Sequence, residues 1–506
     1  MKKLTIISMA ALLLLAASCK KEKKTELGGD AVFRATTETH SGDSKTQLVN
    51  KAVIWNSGDA IKVFNASGTP CEFTAVSEEG SSTTSFGGTA PDDFFGSSSY
   101  TAFYPSSEGV KLDEEGNYKI TLPDTQTYAA NSFGPRANPM AAVSTTTELP
   151  FKNICGLLKL QLYAEETNRY VKSITLKSNM SDEMLWGTGT VTFDGDGIPS
   201  LTDFSGGSTL TLDCGSVKLG TSGSPTVFYF VVPSGTLSGG FTVTVTDTDD
   251  KPILIKAAKA NTNNKIQRSK ITAMPAHSVA PISALPGVFS IDDGVQVFFS
   301  KGNLVATIDE LATPIASKWR FAEHQYDCLK GGGANQTIGT AAGDVDLFGW
   351  STDATLNNWG IHTKTSTDYT AGTFKDWGQV FDDKGTWFTL SEEQWEYLRE
   401  RTVPGGPGGK SYEKISSPKG YIIYFDNYSG TPDSDGDGIA DGCAFLPCAG
   451  MRNKDGEVTS SSENNCYYWS SSPEDDDEAY RCQNLGSPNY ASRYNGSSVR
   501  LVRLCK

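Results

Sequence analysis

Asp433, Asp435, Asp437 and Asp441 occupy the acidic positions of a DxDxDGxxD run. Calcium is bound by several oxygen ligands, and alternating aspartates on a looping backbone bring three carboxylates to one side. Gly438 permits the tight turn such a loop requires. Carboxylates this close repel one another unless a cation lies among them. The run is therefore expected to be a Ca2+-binding loop. Position twelve, where an EF-hand places a bidentate glutamate, is Ala444, and no flanking helices are expected, so the loop is of another kind. A second acidic run, Glu474–Glu478, is expected to be a solvated loop.

Cys19 could carry a different chemistry. It closes the apolar stretch Leu4–Ser18, which follows Lys2 and Lys3, and small residues precede it. This is the pattern of an export signal with its cleavage site. The expectation is a lipoprotein signal peptide over 1–18, cleavage before Cys19, a lipid such as palmitate on that cysteine, and a charged tether over 19–30. The apolar stretch is shorter than the roughly 20 residues of a spanning helix. Lys20 follows the cysteine rather than aspartate, which points to the cell outer membrane, with the body exposed at the surface.

Nine further cysteines remain, an odd number, so at least one thiol has no partner within the chain. Export makes disulfides possible, and the five after Cys328 are the expected bridge formers. No CxxC pair occurs and there are only four histidines, which argues against a zinc site.

Asn484–Ser497 is rich in Tyr, Ser, Asn, Gly and Arg. These residues combine flat aromatic contact with adaptable hydrogen bonding, as binding loops do. Tyr480, Arg481, Asn489, Tyr490, Arg493, Tyr494 and Asn495 are the expected ligand-binding residues. No Ser/His/Asp set with recognisable flanks, phosphate-binding glycine loop or HExxH occurs, so no catalytic residue is assigned and no enzyme is expected.

The elements that must position these groups are mostly strands. The chain has 506 residues, 51 of them Gly and 22 Pro, and its hydrophobic content is 38%, spread over short runs. That composition suits an all-β protein of several domains. A net charge of -15 argues against a nucleic-acid partner, whose phosphates require Lys and Arg. Ala31–Thr36, Lys51–Trp55, Ala60–Phe64 and Tyr100–Tyr104 read as strands. So do Phe151–Leu160, Val171–Leu176, Val227–Val232 and Phe241–Val245. Pro275–Pro286 reads as a linker. Beyond it the texture changes: seven of the nine tryptophans follow, and one helix is expected over Ser391–Arg401, with Ser391 and Gln394 as a capping box. The divisions are 31–150, 151–275, a linker over 276–286, and 287–506.

Residues 31–275 resemble the fimbrillin-like family of surface and pilus proteins. The resemblance rests on Val53–Phe64, Tyr104-Pro105, Phe151–Leu160, Phe228–Pro233 and Ser269–Thr272. It implies two transthyretin-like β-sandwiches in series. In pilus members of that family a protease cuts after an arginine in the first strand, and a strand from the next subunit fills the groove. Arg34 is the residue at that place.

Residues 287–506 resemble C-type-lectin-like domains, including the major paralogous (FISUMP-type) and sulfatase-modifying-factor variants. The stretches concerned are Val297–Leu304, Trp319–Glu323, Asp346–Trp350, Leu390–Leu398, Phe445–Asn453, Tyr467–Ser472 and Ser498–Arg503. The Glu-Pro-Asn and Gln-Pro-Asp triads of sugar-chelating lectins do not occur in this region. Formylglycine-generating relatives use a cysteine pair; here Cys443 and Cys448 lie beside an expected core strand and are expected to form a structural disulfide. The expected fold is mainly β with an α+β C-terminal domain. The resemblances together imply a surface lipoprotein adhesin, as a pilus-tip or accessory fimbrial subunit. Its partners would be host or bacterial surface proteins or glycans, and other pilus subunits through strand exchange. The alternatives are an enzyme or modifier on the sulfatase-modifying-factor fold, and a nutrient-capture lipoprotein.

Overall fold

The computed structural model describes residues 31–40, 53–76, 80–107, 109–309, 316–329, 343–350, 374, 376–381, 385–458, 464–486 and 489–505. Cys19, the signal segment 1–18 and the tether 19–30 lie outside the described residues. The protein is mainly β, as expected.

The first unit is a closed barrel. Its strands run Ala31–Thr37, Glu148–Asn153, Met140–Ser144, Tyr100–Tyr104, Ala60–Asn65, Pro70–Ala75 and Thr83–Gly88, and the last pairs with the first. Alternation explains the first strand. Phe33 and Ala35 are wholly buried, whereas Val32, Arg34 and Thr36 face solvent. The strand pairs antiparallel with Thr83–Gly88 and parallel with Glu148–Asn153. The expected strand Lys51–Trp55 is reduced, within the described residues, to a bridge from Trp55 to Ser81. Trp55 nevertheless anchors the core, edge-on to Phe86, Tyr104 and Phe151.

The expected boundary at 150/151 is not the packing boundary. Phe151–Leu160 is two strands: Glu148–Asn153 belongs to the barrel, and Gly156–Tyr163 to the second unit. Residues Lys111–Phe133 also depart from the expected first sandwich. Tyr118–Leu122 pairs with Trp186–Phe193, and Thr125–Ala129 with Thr209–Lys218, so this excursion completes two sheets of the second unit. Alternation identifies a strand but not its partner, which is chosen by contacts distant in sequence. A common core follows: Phe64 and Phe103 of the barrel pack with Leu157, Tyr229, Val231 and Ile271.

The expected linker 276–286 is part of the fold. Strand Ile271–Ser278 runs parallel to Gly156–Tyr163 and extends into it. Beyond that strand, the Ala280 amide donates to the Ile253 carbonyl at 2.8 Å and the Leu285 amide to Phe299 at 2.8 Å. Pro286 accepts from the Ile255 amide at 2.8 Å. Apolar Val279 and Ala280 find burial here, in the second unit's core. The third unit docks by the period of one strand, Val295–Phe299. Val297 and Phe299 enter its own core, and Phe298 enters that of the second unit. In return Ile255 and Ala257 of the second unit enter the third unit's core.

In the third unit, Val295–Phe299 pairs with Leu501–Leu504, so the two ends of 287–506 meet in one sheet with Phe289–Asp292 and Trp387–Thr389. Among the described residues, three three-stranded sheets complete it. Helix Glu392–Glu400 carries the expected Ser391–Gln394 capping box and buries Trp395 and Leu398. Trp350, Trp377, Trp387 and Trp469 share one core. Among the described residues no helix is long and apolar enough to cross a membrane.

Candidate functional site

The tyrosine-bearing stretch forms a three-stranded sheet of Tyr467–Pro473, Glu478–Gln483 and Asn489–Ser492. Its register sets Tyr480 opposite Tyr490, Ala479 opposite Ala491 and Arg481 opposite Asn489. Side chains alternate between faces. Ala479 and Ala491 are buried against Trp469 and Val499. Tyr480 and Tyr490 therefore lie on the outer face, and Tyr490 is 56% exposed. Glu474 accepts a hydrogen bond from the Tyr480 hydroxyl; this bond and partial burial push the phenol up to about 12. Glu392, at the start of the neighbouring helix, is close enough to act on Tyr480 as well. The carboxyl of Glu392 is itself raised, by burial and by Glu393, Glu396 and Glu474. The outer face thus offers two aromatic rings with an acidic rim.

The two arginines expected to bind ligand do not share that face. Arg481 is buried, stacks over the Tyr467 ring at 4.4 Å and donates through Nε to Asn489 Oδ1 at 3.2 Å. Burial lowers its pKa to about 10. Arg493 is fully buried, 4.7 Å from the Trp350 ring centre. Its guanidinium donates to the Glu478 carbonyl at 3.2 Å and to the Asp475 carbonyl. Both ends of the Glu474–Glu478 run are thereby held from beneath, and Asp475 Oδ1 also accepts from the Asp477 and Glu478 amides at 2.8 and 2.7 Å. These arginines build the surface and do not present themselves on it. Tyr494 and Asn495 follow in a turn and are half-buried, as is Asn489. The signal for the correction is in the sequence: Arg481 stands two residues from Ala479 and so shares its inner face.

The acidic loop brings three of its four expected ligands together. Carboxylate oxygens of Asp433, Asp435 and Asp437 lie within 4.8 Å of one another. Asp433 shapes the loop, accepting from the amides of Gly436 at 2.9 Å, Asp437 at 3.1 Å and Gly438 at 2.9 Å. Gly436 and Gly438 sit at φ of 74° and 84°, a region that disfavours residues with a Cβ. Burial, then the charges of Asp435 and Asp433, raise the Asp437 carboxyl pKa. Asp441 departs from the expected set. It accepts from the Ser434 amide at 3.2 Å and from its hydroxyl, closing the loop from the other end. The donor set of three carboxylates around a glycine turn fits a hard cation such as Ca2+.

The expected Cys443–Cys448 disulfide is not what the fold brings together. Cys448 Sγ lies 3.0 Å from Cys466 Sγ, and Cys443 is a separate buried thiol. Cys443 and Cys448 flank strand Ala444–Pro447, whose extended backbone carries them apart. Arg34 is exposed on the first strand, in register with Ser85 and Glu148.

Solved structures with some likeness to this chain include a candidate cell-adhesion protein from Bacteroides ovatus. It is 12% identical, with a TM-score of 0.32, over 49% of this chain and 91% of that one. The tip fimbrial protein Mfa3 from Porphyromonas gingivalis, with C-terminal truncation, is 10% identical, with a TM-score of 0.19, over 50% of this chain and 94% of that one. A fimbrial protein from Bacteroides ovatus is 9% identical, with a TM-score of 0.19, over 88% of this chain and 94% of that one. Likenesses of this degree carry no argument about function. No family profile matches the chain, and no curated protein matches it.

Proposed function

We propose that this chain is a cell-surface adhesin. The first two units form a stalk, and the third is a head that binds protein or glycan. The observation that carries the reading is the paired Tyr480 and Tyr490 on an outer sheet face, rimmed by Glu474 and Glu392 and held rigid by buried Arg481 and Arg493. Exposed aromatic rings on a fixed frame give contact area at low entropic cost. Tyr494 and Asn495 lie in the turn that follows this face, and Asn489 braces Arg481 beneath it. A lipid on Cys19 anchors the chain in the outer membrane, and the shared cores of the units make the stalk stiff.

Two finer elements belong to this reading. Asp433, Asp435 and Asp437 hold Ca2+, which relieves their mutual repulsion. The start of strand Ala31–Thr37 is the exchangeable element of a pilus. A cut after exposed Arg34 would release Phe33 from the barrel core and free the edge of Ser85–Gly88 that Ala31–Arg34 covers for a partner subunit's strand, while Ala35–Thr37 stays paired with Leu149–Phe151.

The test uses the whole chain, because Ile255 and Ala257 of the second unit form part of the head's core. It is applied to protein and glycan arrays beside the Tyr480→Ala/Tyr490→Ala variant. The reading expects signals with the parent that vanish with the variant. Equal signals from both would refute it.

A further inference from the structure

Cys448 and Cys466 are both buried at 1% exposure, and their sulfurs are 3.0 Å apart, well inside the contact distance of two unbonded sulfurs. Cys448 immediately follows strand Ala444–Pro447, and Cys466 immediately precedes strand Tyr467–Pro473. The backbone already holds the two positions together: the Gly450 amide donates to the Asn465 carbonyl at 3.2 Å, and Cys466 Sγ lies 3.2 Å from the Leu446 carbonyl. A disulfide needs sulfurs at about 2.05 Å and β-carbons that face each other. The approach seen here leaves a closure of about 1 Å to reach that bond length.

We infer that Cys448 and Cys466 form a disulfide that joins the sheet containing Ala444–Pro447 to the sheet bearing Tyr480 and Tyr490. The oxidant is a disulfide of the thiol-exchange class. The thiolate of one cysteine attacks that disulfide and releases one donor thiol. The thiolate of the other then displaces the remaining donor sulfur. Two protein sulfurs are oxidised, two donor sulfurs are reduced, and the two cysteine protons leave on the donor thiols. In the folded reduced protein, burial and the neighbouring Cys448 hold the Cys466 thiol well above its ordinary pKa. The thiolate needed for attack is therefore scarce once the site is packed, and the bond closes during folding. The bridge ties down one end of the sheet under the proposed binding face: Cys466 immediately precedes Tyr467, which lies opposite Gln483 on the strand that carries Tyr480. It does not depend on what that face binds.

The test is refolding of the whole chain in a glutathione redox buffer, alkylation without reduction, and tryptic digestion. The expected product joins the peptide Gly420–Arg452 to the peptide Asp455–Arg481, with fragment ions placing the bond on Cys448 rather than Cys443. Reduction should lower the thermal midpoint of the parent to that of Cys466→Ser, and should leave Cys466→Ser and Cys448→Ser unmoved. Full alkylation of Cys448 and Cys466 in protein refolded in that buffer, then denatured before alkylation, would overturn the inference. So would a bridge from Cys466 to Cys443 or Cys482. The peptide map is made on the parent chain, so it is decisive even where a serine variant fails to fold.

Discussion

The barrel and the head solve the same problem with different chemistry. In the barrel, backbone groups are paired along continuous ladders, and the core is left to aromatic side chains such as Phe33, Trp55, Phe73 and Phe86. The head has shorter ladders joined by irregular segments, whose carbonyls need donors from elsewhere. Buried arginines supply some of them. Arg452, Arg493 and Arg500 rank among the largest fully buried side chains, whereas no described arginine of the first two units is buried. Arg493 donates to two carbonyls of one turn. Arg500 donates to Gln325 Oε1 at 3.1 Å, and Gln325 in turn accepts from the Phe445 amide and donates to the Cys443 carbonyl. A guanidinium suits this task because its five N–H groups fan out in a plane. Residue types that suggest recognition in a sequence can therefore serve as scaffold where regular ladders are short.

Substitutions at the two kinds of core should separate them. Trp55→Ala empties the centre of the barrel and should cost about 4 kcal/mol in chemical denaturation. A loss below about 1 kcal/mol would mean the barrel core is not organised around it. Arg493→Ala leaves buried carbonyls without donors and should cost about 3 kcal/mol. Arg493→Lys should recover little, because an ammonium cannot span both acceptors; recovery to parental stability would show that charge, not the fork, matters.

Acid should act on the first two units. His40 is buried beside Phe133, neither ring nitrogen has a partner among the described residues, and burial lowers its pKa from 6.5 to about 4. Burial, then Lys256, does the same for His277. Between pH 6.5 and about 4 the unfolded chain holds more protons at these sites. Their contribution is therefore complete above pH 6.5 and is lost as pH falls through that window. The slope per histidine should approach about 1.4 kcal/mol per pH unit. Denaturation midpoints of the parent and His40→Leu across this range check it: the variant should show a shallower slope, and identical slopes would remove His40 from the account. Calcium should act on the head. At ten times its dissociation constant it should add about 1.4 kcal/mol, seen as a thermal shift that chelation reverses. Asp433→Asn/Asp435→Asn should abolish the shift; its persistence would place the ion elsewhere.

What the sequence made legible follows local periodicity. The strands Tyr100–Tyr104 and Phe241–Thr246 and the Ser391-capped helix form where expected, because each depends on neighbours within a few residues, although Tyr100–Tyr104 is buried at every position. The assignment of Lys111–Phe133 to the second unit was not legible, because its partners lie some 70 to 105 residues away in sequence, as in the Thr121–Thr188 and Gln126–Val231 hydrogen bonds. The cysteine pairing was hidden for the same reason: Cys443 is nearer Cys448 in sequence, but an extended strand separates them. The acidic loop's trio was readable from spacing, while Asp441's role required the fold to show Ser434 turned toward it. Composition singled out Tyr490, and the fold leaves it exposed on the outer sheet face. Arg481 and Arg493 were misplaced because composition does not say which face of a strand a residue occupies.

The central claim is that the head's outer tyrosines meet ligand while its buried arginines only support them. The most direct measurement is the affinity of an array-selected ligand for the parent and for Tyr490→Ala, with thermal midpoints recorded in parallel. Binding should weaken at least tenfold, as for an aromatic hot spot, with stability changed by less than about 0.5 kcal/mol. Unchanged affinity at unchanged stability would contradict the account.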